Sequence, residues 1–151
     1  MVEIGLTKYW QLIKDLEVTD NISKTANDAL IAISIIKGGY TPEDEAAKLR
    51  LKTKIIEAIK LMDKAAEATS TRLTKGEIPL EAYYVSYFIS DRFMISDVQE
   101  LKEVIQDAIK ELEDFIEMKE KSVDHAIKLL QEITRITSQE REKSLIELSG
   151  V

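Results

Sequence analysis

The sequence predicts an all-α protein, a four-helix bundle with a short N-terminal helix and a long C-terminal helix. Glycine and proline occur at only a few places, and between them apolar residues recur at the three- and four-residue spacing of helices. Hydrophobic residues make up 44% of the 151-residue chain and charged residues 32%, which suits a core with a charged surface. Because no linker, repeat or low-complexity segment interrupts this pattern, we expect a single helical domain over residues 1–151.

The first part of the chain predicts a short arm helix over about residues 4–17, which carries Tyr9 and Trp10. Thr19 or Asp20 can cap a second helix that ends at Gly38, because small polar side chains favour helix starts and glycine favours helix ends. The positions expected to face inward on this second helix are Ile22, Ala26, Ala29, Leu30, Ile33 and Ile36.

The third helix has a clear predicted start at Thr41 and Pro42, followed by acids in the first turn. We expect it to run to about Lys75, with Gly76 as its stop. Its expected inward positions are Leu51, Ile55, Ala58, Met62, Ala65, Ala66, Thr69 and Leu73.

A fourth helix is predicted from Pro79 to about Met94, and Ser96 with Gln99 has the spacing of a capping box that opens the closing helix. Polar residues 119–124 leave two alternatives open for that closing helix. A turn there would make two antiparallel helices, whereas no turn would leave one rod of about 60 Å. The inward positions are expected to be Val98, Leu101, Ile105, Ala108, Ile109, Leu112, Phe115, Val123, Ala126, Ile127, Leu130 and Ile133.

The chemistry of an enzyme is sparse in this sequence. There is no cysteine, and the single histidine, His125, lacks a nucleophile signature nearby and has Ser122 where a di-iron motif needs glutamate. Gly38-Gly39 lacks the lysine and the spacing of a phosphate-binding loop. We therefore expect no catalytic residue, no metal and no cofactor. The longest apolar run, residues 29–36, is too short to span a membrane, and we expect an intracellular setting.

Charge is distributed unevenly along the chain, whose net charge is −7. Residues 46–75 hold eight bases and three acids, a local +5, while residues 96–149 hold eight bases and fourteen acids, a local −6. The overall negative charge disfavours direct binding of nucleic acid. Pairing with the acidic closing helix, within the chain or between copies, explains the asymmetry better. The basic patch consists of Lys48, Arg50, Lys52, Lys54, Lys60 and Lys64.

Five of the nine aromatic residues lie in the segment EAYYVSYFISDRF at 81–93, whose apolar arc covers about two-thirds of the helix. It can be the central helix of a monomer, a stacking platform for bases, or a surface covered by another subunit. The platform is disfavoured because Arg92 is the only base between residues 76 and 95. The interface candidates are Tyr9, Trp10, Tyr83, Tyr84, Tyr87 and Phe88.

Several features occur together here: the aromatic arm TKYWQLI, a Gly-Gly turn into TPEDEAAKLR, the YYVSYF helix and a long acidic closing helix. The chain is also rich in isoleucine, lysine and glutamate, a composition typical of hot-living organisms. In these features it resembles the α-helical virion structural proteins of archaeal tailed spindle-shaped viruses. It departs from the spindle-virus coat proteins that carry two long membrane-like apolar helices.

That resemblance implies a small helical bundle that packs against copies of itself in a shell assembled in the host cytoplasm, with other virion proteins as further candidate partners. It carries over no catalytic residue. We therefore expect a non-enzymatic structural protein that self-associates. The family also includes a relative that binds and inhibits the host RNA polymerase. The alternative is therefore a small regulatory adaptor that binds a large nucleic-acid-processing complex.

Overall fold

The structure, a computed structural model, describes residues 2–39, 43–70, 78–119 and 121–150, with the backbone alone at residues 2–6. These residues form five α-helices and contain no strand, which confirms the all-α prediction. The helices are α1 (Val2–Lys37), α2 (Glu45–Ala68), α3 (Leu80–Arg92), α4 (Val98–Ile116) and α5 (Asp124–Ser149). α1 and α4 each pack on both α2 and α5, and α3 contacts all four other helices.

The predicted arm helix 4–17 is not a separate element, because α1 runs without a break through residues 2–37. No glycine or proline lies between Leu6 and Lys37, so nothing in the backbone interrupts the helix. The Thr19 hydroxyl, predicted as a cap, instead donates to the carbonyl oxygen of Asp15 within the same helix at 2.7 Å. A polar residue that could cap a helix therefore does not start one here.

α1 ends in the predicted Gly-Gly turn. Gly39 has a φ of +85°, and its N–H donates to the Ile36 carbonyl at 3.1 Å. The predicted start of the next helix at Thr41 and Pro42 lies outside the described residues. The described N-cap of α2 is Asp44, whose carboxylate accepts from the Ala46 N–H at 3.1 Å.

The predictions for the end of the third helix and the start of α4 need correction. α2 ends at Ala68, and the predicted end near Lys75, with Leu73 and Gly76, lies outside the described residues. The cap of α4 is Asp97, not Ser96, because the Asp97 carboxylate accepts from the Glu100 N–H at 2.9 Å. Val98 is then the first helical residue and is 52% exposed, contrary to the prediction that it faces inward.

The closing helix is broken, which decides between the two alternatives at residues 119–124. α4 ends at Ile116, and Met118 takes a φ of +62° beyond that end. The buried Asp114 carboxylate lies 3.4 Å from the ammonium groups of both Lys119 and Lys121. Burial alone would raise the pKa of Asp114, but its hydrogen bonds and ion pairs with Lys121 and Lys119 hold it below the ordinary value.

The core follows the predicted inward positions closely, because those positions repeat at the helical period. Leu30, Ile36, Leu51, Phe115 and Ile127 are partly buried against this core. No described helix is both long enough and apolar enough to span a membrane. The predicted inward residues that are buried include Ile22, Ala26, Ala29, Ile33, Ile55, Ala58, Met62, Ala65, Ala66, Leu101, Ile105, Ala108, Ile109, Leu112, Val123, Ala126, Leu130 and Ile133.

Candidate interaction surface

The first turns of α1 lie beside the last turns of α5, and we call residues 7–19 and 137–149 the two-helix end. The two helices are antiparallel, because residues early in one pair with residues late in the other. α1 makes more extensive contact with α5 than with any other described helix. The ion pairs are Lys8 with Glu147 at 3.5 Å, Asp20 with Arg141 at 3.0 Å, and Lys37 with Asp124 at 3.9 Å.

The inside of the two-helix end is less apolar than the main core. The main apolar core takes no residue from α1 before Val18, and its last fully buried residue on α5 is Ile133. Thr137 is completely buried, and its hydroxyl donates to the Ile133 carbonyl at 3.0 Å, so its polar group is satisfied within α5. The buried side chains of the two-helix end are Leu12, Val18, Thr19, Thr137 and Ser144.

The outside of the two-helix end carries large apolar side chains. Trp10 is 61% exposed and Ile146 is 63% exposed, and their neighbours Tyr9 and Leu145 are also exposed. The rings of Tyr9 and Trp10 meet edge to face at 5.8 Å. The two interface candidates predicted on this segment are therefore at the surface.

Sequence reasoning missed Leu145 and Ile146. The pattern that could have found them is the helical period, since Leu145 and Ile146 lie about 120° and 220° around α5 from the inward-facing Ile133. A buried Ser144 directly before them fixes the inward direction. Both apolar side chains are thereby left at the surface of α5.

The aromatic helix α3 divides its side chains between core and surface. Phe88 is 6% exposed and belongs to the main core with Val85 and Ile89, so it is not available as an interface residue, contrary to the prediction. Tyr87, one residue earlier, is 65% exposed. Tyr83 is partly buried against the small cluster of Ala68, Ile78 and Ala82.

Tyr84 is partly buried and connects α3 to α1. Its hydroxyl donates to Oδ1 of Asp15 at 2.5 Å, and Gln11 Nε2 donates to the same oxygen at 3.2 Å. Burial, the hydrogen bond to Asp15, and the negative charges of Asp15 and Glu140 together raise the pKa of Tyr84 to about 12. The negative charges of carboxylates on both α1 and α5 therefore act on this tyrosine.

These groups line a cleft of about 460 Å³ between α1, α3 and α5, which we call the acidic cleft. Asp15 of α1 and Glu140 of α5 supply carboxylates, and Lys143 also lines the cleft. Among the described residues, no ammonium or guanidinium nitrogen lies within 4.0 Å of either carboxylate. Tyr83, Tyr84 and Tyr87 supply the aromatic wall.

The predicted basic patch is largely neutralised by neighbouring acids. Lys54 pairs with Asp28 of α1 at 3.3 Å, and three other lysines pair within α2. Within the described ranges, Arg50 and Lys52 have no carboxylate within 4.0 Å, and no ion pair joins α2 to α4 or α5. The predicted pairing of the basic helix with the acidic closing helix is therefore wrong within the described chain. The pairs within α2 are Lys48 with Glu45, Lys60 with Glu57, and Lys64 with Glu67.

His125 is exposed near the start of α5, in a groove with Asp107 and Lys110. Over residues 2–39, 43–70, 78–119 and 121–150, no group of three or more histidine and carboxylate side chains is placed to hold a metal ion.

Comparisons of the chain with protein-family models, with curated proteins and with solved structures give no match.

Proposed function

We propose that this protein is a non-enzymatic structural subunit that assembles with copies of itself, and that the two-helix end is where one copy meets another. The setting we propose is the virion shell implied by the resemblance of its sequence segments. In this proposal the four longer helices form the body of the subunit as a four-helix bundle.

The observation that carries the proposal is the exposure of large apolar side chains at the two-helix end, whose interior is only partly apolar. Its inside holds Thr19, Thr137 and Ser144 beside Leu12 and Val18, whereas its outside exposes Trp10 and Ile146. An isolated pair of helices in water is stabilised by apolar burial between them, so this arrangement is unfavourable for a surface that stays in water. Covering the outer side chains with another protein would recover the missing burial.

The extent of the molecular surface supports the same proposal. The chain exposes 9723 Å², whereas a compact monomer of its mass would expose about 7,800 Å². The difference exceeds the roughly 800 Å² that each partner buries in a standard stable interface. Surface of this extent leaves room for a contact of standard size between copies.

Trp10 and Ile146 provide the direct test, because both are exposed and their removal leaves the core unchanged. We expect Trp10→Ser and Ile146→Ser to leave helical circular dichroism intact and to weaken association about thirtyfold, as central interface residues do. The measurement is sedimentation velocity with light scattering over a wide concentration range. The control is Val98→Ser, which removes another exposed apolar side chain, at the start of α4.

A wild-type chain that stays monomeric at every concentration would contradict self-assembly. The exposed side chains would then belong to a contact with a different protein, as the adaptor alternative requires. A wild-type chain that assembles equally well with either serine substitution would move the contact away from the two-helix end.

A further inference from the structure

The acidic cleft has the composition of a site for a cationic side chain. A guanidinium group is attracted to the faces of aromatic rings and forms charge-assisted hydrogen bonds with carboxylates. The cleft offers the exposed ring of Tyr87 together with two carboxylates that have no cation within 4.0 Å in the described part of the chain. Lys143 offsets one of the two negative charges, so the cleft keeps a net negative charge.

The Asp15 carboxylate is already oriented for such a ligand. One of its oxygens, Oδ1, accepts from Tyr84 and Gln11, which fixes the side chain in place, while Oδ2 has no partner among the described residues. The raised pKa of Tyr84 reflects in part the charges of Asp15 and Glu140, which agrees with a negative field inside the cleft. A pre-oriented acceptor loses less entropy when it binds.

A matching cation lies elsewhere on the same chain. Arg50 is exposed and has no carboxylate within 4.0 Å among the described residues. Two large apolar side chains are exposed nearby: Leu49, which is 63% exposed, and Ile31 across the groove on α1, which is 59% exposed. Arginine with apolar neighbours is the composition found at the centres of protein interfaces.

Arg50 cannot reach the acidic cleft of its own chain. It lies beside Ile31, which is sixteen residues beyond Asp15 on α1, or about 24 Å along the helix. An extended arginine side chain covers only a fraction of that length. Any contact between these two surfaces must therefore join different copies.

We propose that the Arg50 guanidinium of a second copy binds in the acidic cleft, between the Asp15 and Glu140 carboxylates. This proposal rests on the proposed self-assembly and adds which surfaces of two neighbouring copies meet. At 100° per residue, Ile31 beside Arg50 lies about 160° around α1 from Asp15, so the two complementary surfaces face nearly opposite sides of that helix. A two-fold pair cannot join both surfaces at once, so the contact is head to tail, and each copy keeps one free surface of each kind. Repetition of such a contact produces a closed ring or an extending filament.

The test uses two full-length variants, each of which removes one side of the contact. Arg50→Ser removes the cation, and Glu140→Arg reverses a charge inside the cleft. Each alone is expected to weaken association about thirtyfold or more. Mixed together, they are expected to form a one-to-one complex and nothing larger, because the intact cleft of the first accepts Arg50 of the second.

The controls carry matched changes at exposed residues elsewhere: Lys128→Ser on α5 and Glu113→Arg on α4. Both are expected to assemble as the wild type does, and circular dichroism checks that every variant is folded. Normal assembly of Arg50→Ser, or no complex in the mixture, would overturn the head-to-tail contact while leaving the proposed self-assembly in place. A monomeric wild type would overturn both.

Discussion

The hydroxyl of Tyr84 donates a 2.5 Å hydrogen bond to the Asp15 carboxylate, which lies 69 residues earlier in the chain. This bond joins α3 to α1 where the two-helix end begins. It also holds Asp15 on the wall of the acidic cleft. A single contact therefore couples the docking of the aromatic helix to the shape of a candidate interaction surface.

Removal of that hydrogen bond is expected to destabilise the protein. Tyr84→Phe keeps the ring but leaves a partly buried carboxylate with one donor fewer, which costs about 1–2 kcal/mol in the free energy of unfolding. Urea denaturation followed by circular dichroism measures the loss. The matched control is Tyr87→Phe, which removes a hydroxyl from a ring that is 65% exposed and should change the stability little.

We expect the raised pKa of Tyr84 to cause a loss of stability at alkaline pH. Its pKa rises from 10.0 in the unfolded chain to about 12 in the folded protein, so above pH 10 the folded state keeps a proton that the unfolded state loses. The stabilisation is complete below pH 10 and is lost as the pH rises towards 12. A Tyr84→Phe variant should show a smaller decrease in unfolding free energy over that range. If the unfolding free energy decreases equally in the variant and the wild type, other titratable groups cause the loss of stability.

We expect the lowered pKa of Asp114 to cause a loss of stability in acid. Its pKa lies below the ordinary 3.8, so its contribution is complete above that value and disappears as the pH falls through the lower, folded-state pKa. Asp114→Asn should lower stability at neutral pH, because a neutral amide pairs poorly with Lys119 and Lys121. It should also reduce the loss of stability in acid. Chemical denaturation at a series of pH values measures both effects, with the exposed Asp107→Asn as control.

The N-cap of α4 can be tested by a pair of neighbouring substitutions. Asp97→Ala removes the acceptor for the Glu100 N–H and should cost about 1 kcal/mol of stability. Ser96→Ala changes an exposed residue outside the helix and should cost little. If Ser96→Ala lowers the stability more than Asp97→Ala in thermal or urea unfolding, the N-cap of α4 is Ser96.

The turn after α1 requires a glycine at position 39. A side chain there would be held at a φ of +85°, which costs about 1–2 kcal/mol for residues other than glycine. Gly39→Ala should therefore lower the unfolding free energy by about that amount. Gly150→Ala is the control, because Gly150 has a φ of −91° and its added Cβ would make only ordinary contacts. Equal stability of the two variants would show that the turn adapts to alanine.

Local patterns explain most of the helix assignments that were right, and their limits explain those that were wrong. Glycine and the helical period identified the end of α1 and nearly all of α3. The choice between Ser96 and Asp97 could not be made from residue type, because both side chains can cap a helix. The same ambiguity produced the false start at Thr19, which bonds backward within α1.

The candidate surfaces were predictable only in part. Trp10 and Tyr9 were identified by residue type. Phe88 and Tyr87 are adjacent aromatic residues, yet Phe88 is buried and Tyr87 is exposed. The apolar arc of α3 is wide enough to face several neighbours. Which part becomes core depends on where α2, α1 and α5 lie, and periodicity along one helix carries no such information.

The all-helical fold and the inward face of most helices could be predicted from local patterns, because the helical period and glycine positions act within a few residues of the chain. Packing between the helices decides that α1 and α5 extend past the main core, that Tyr84 meets Asp15, and that Arg50 has no carboxylate within 4.0 Å among the described residues. Those outcomes depend on contacts between residues distant in the chain, whose energies arise only when the helices pack.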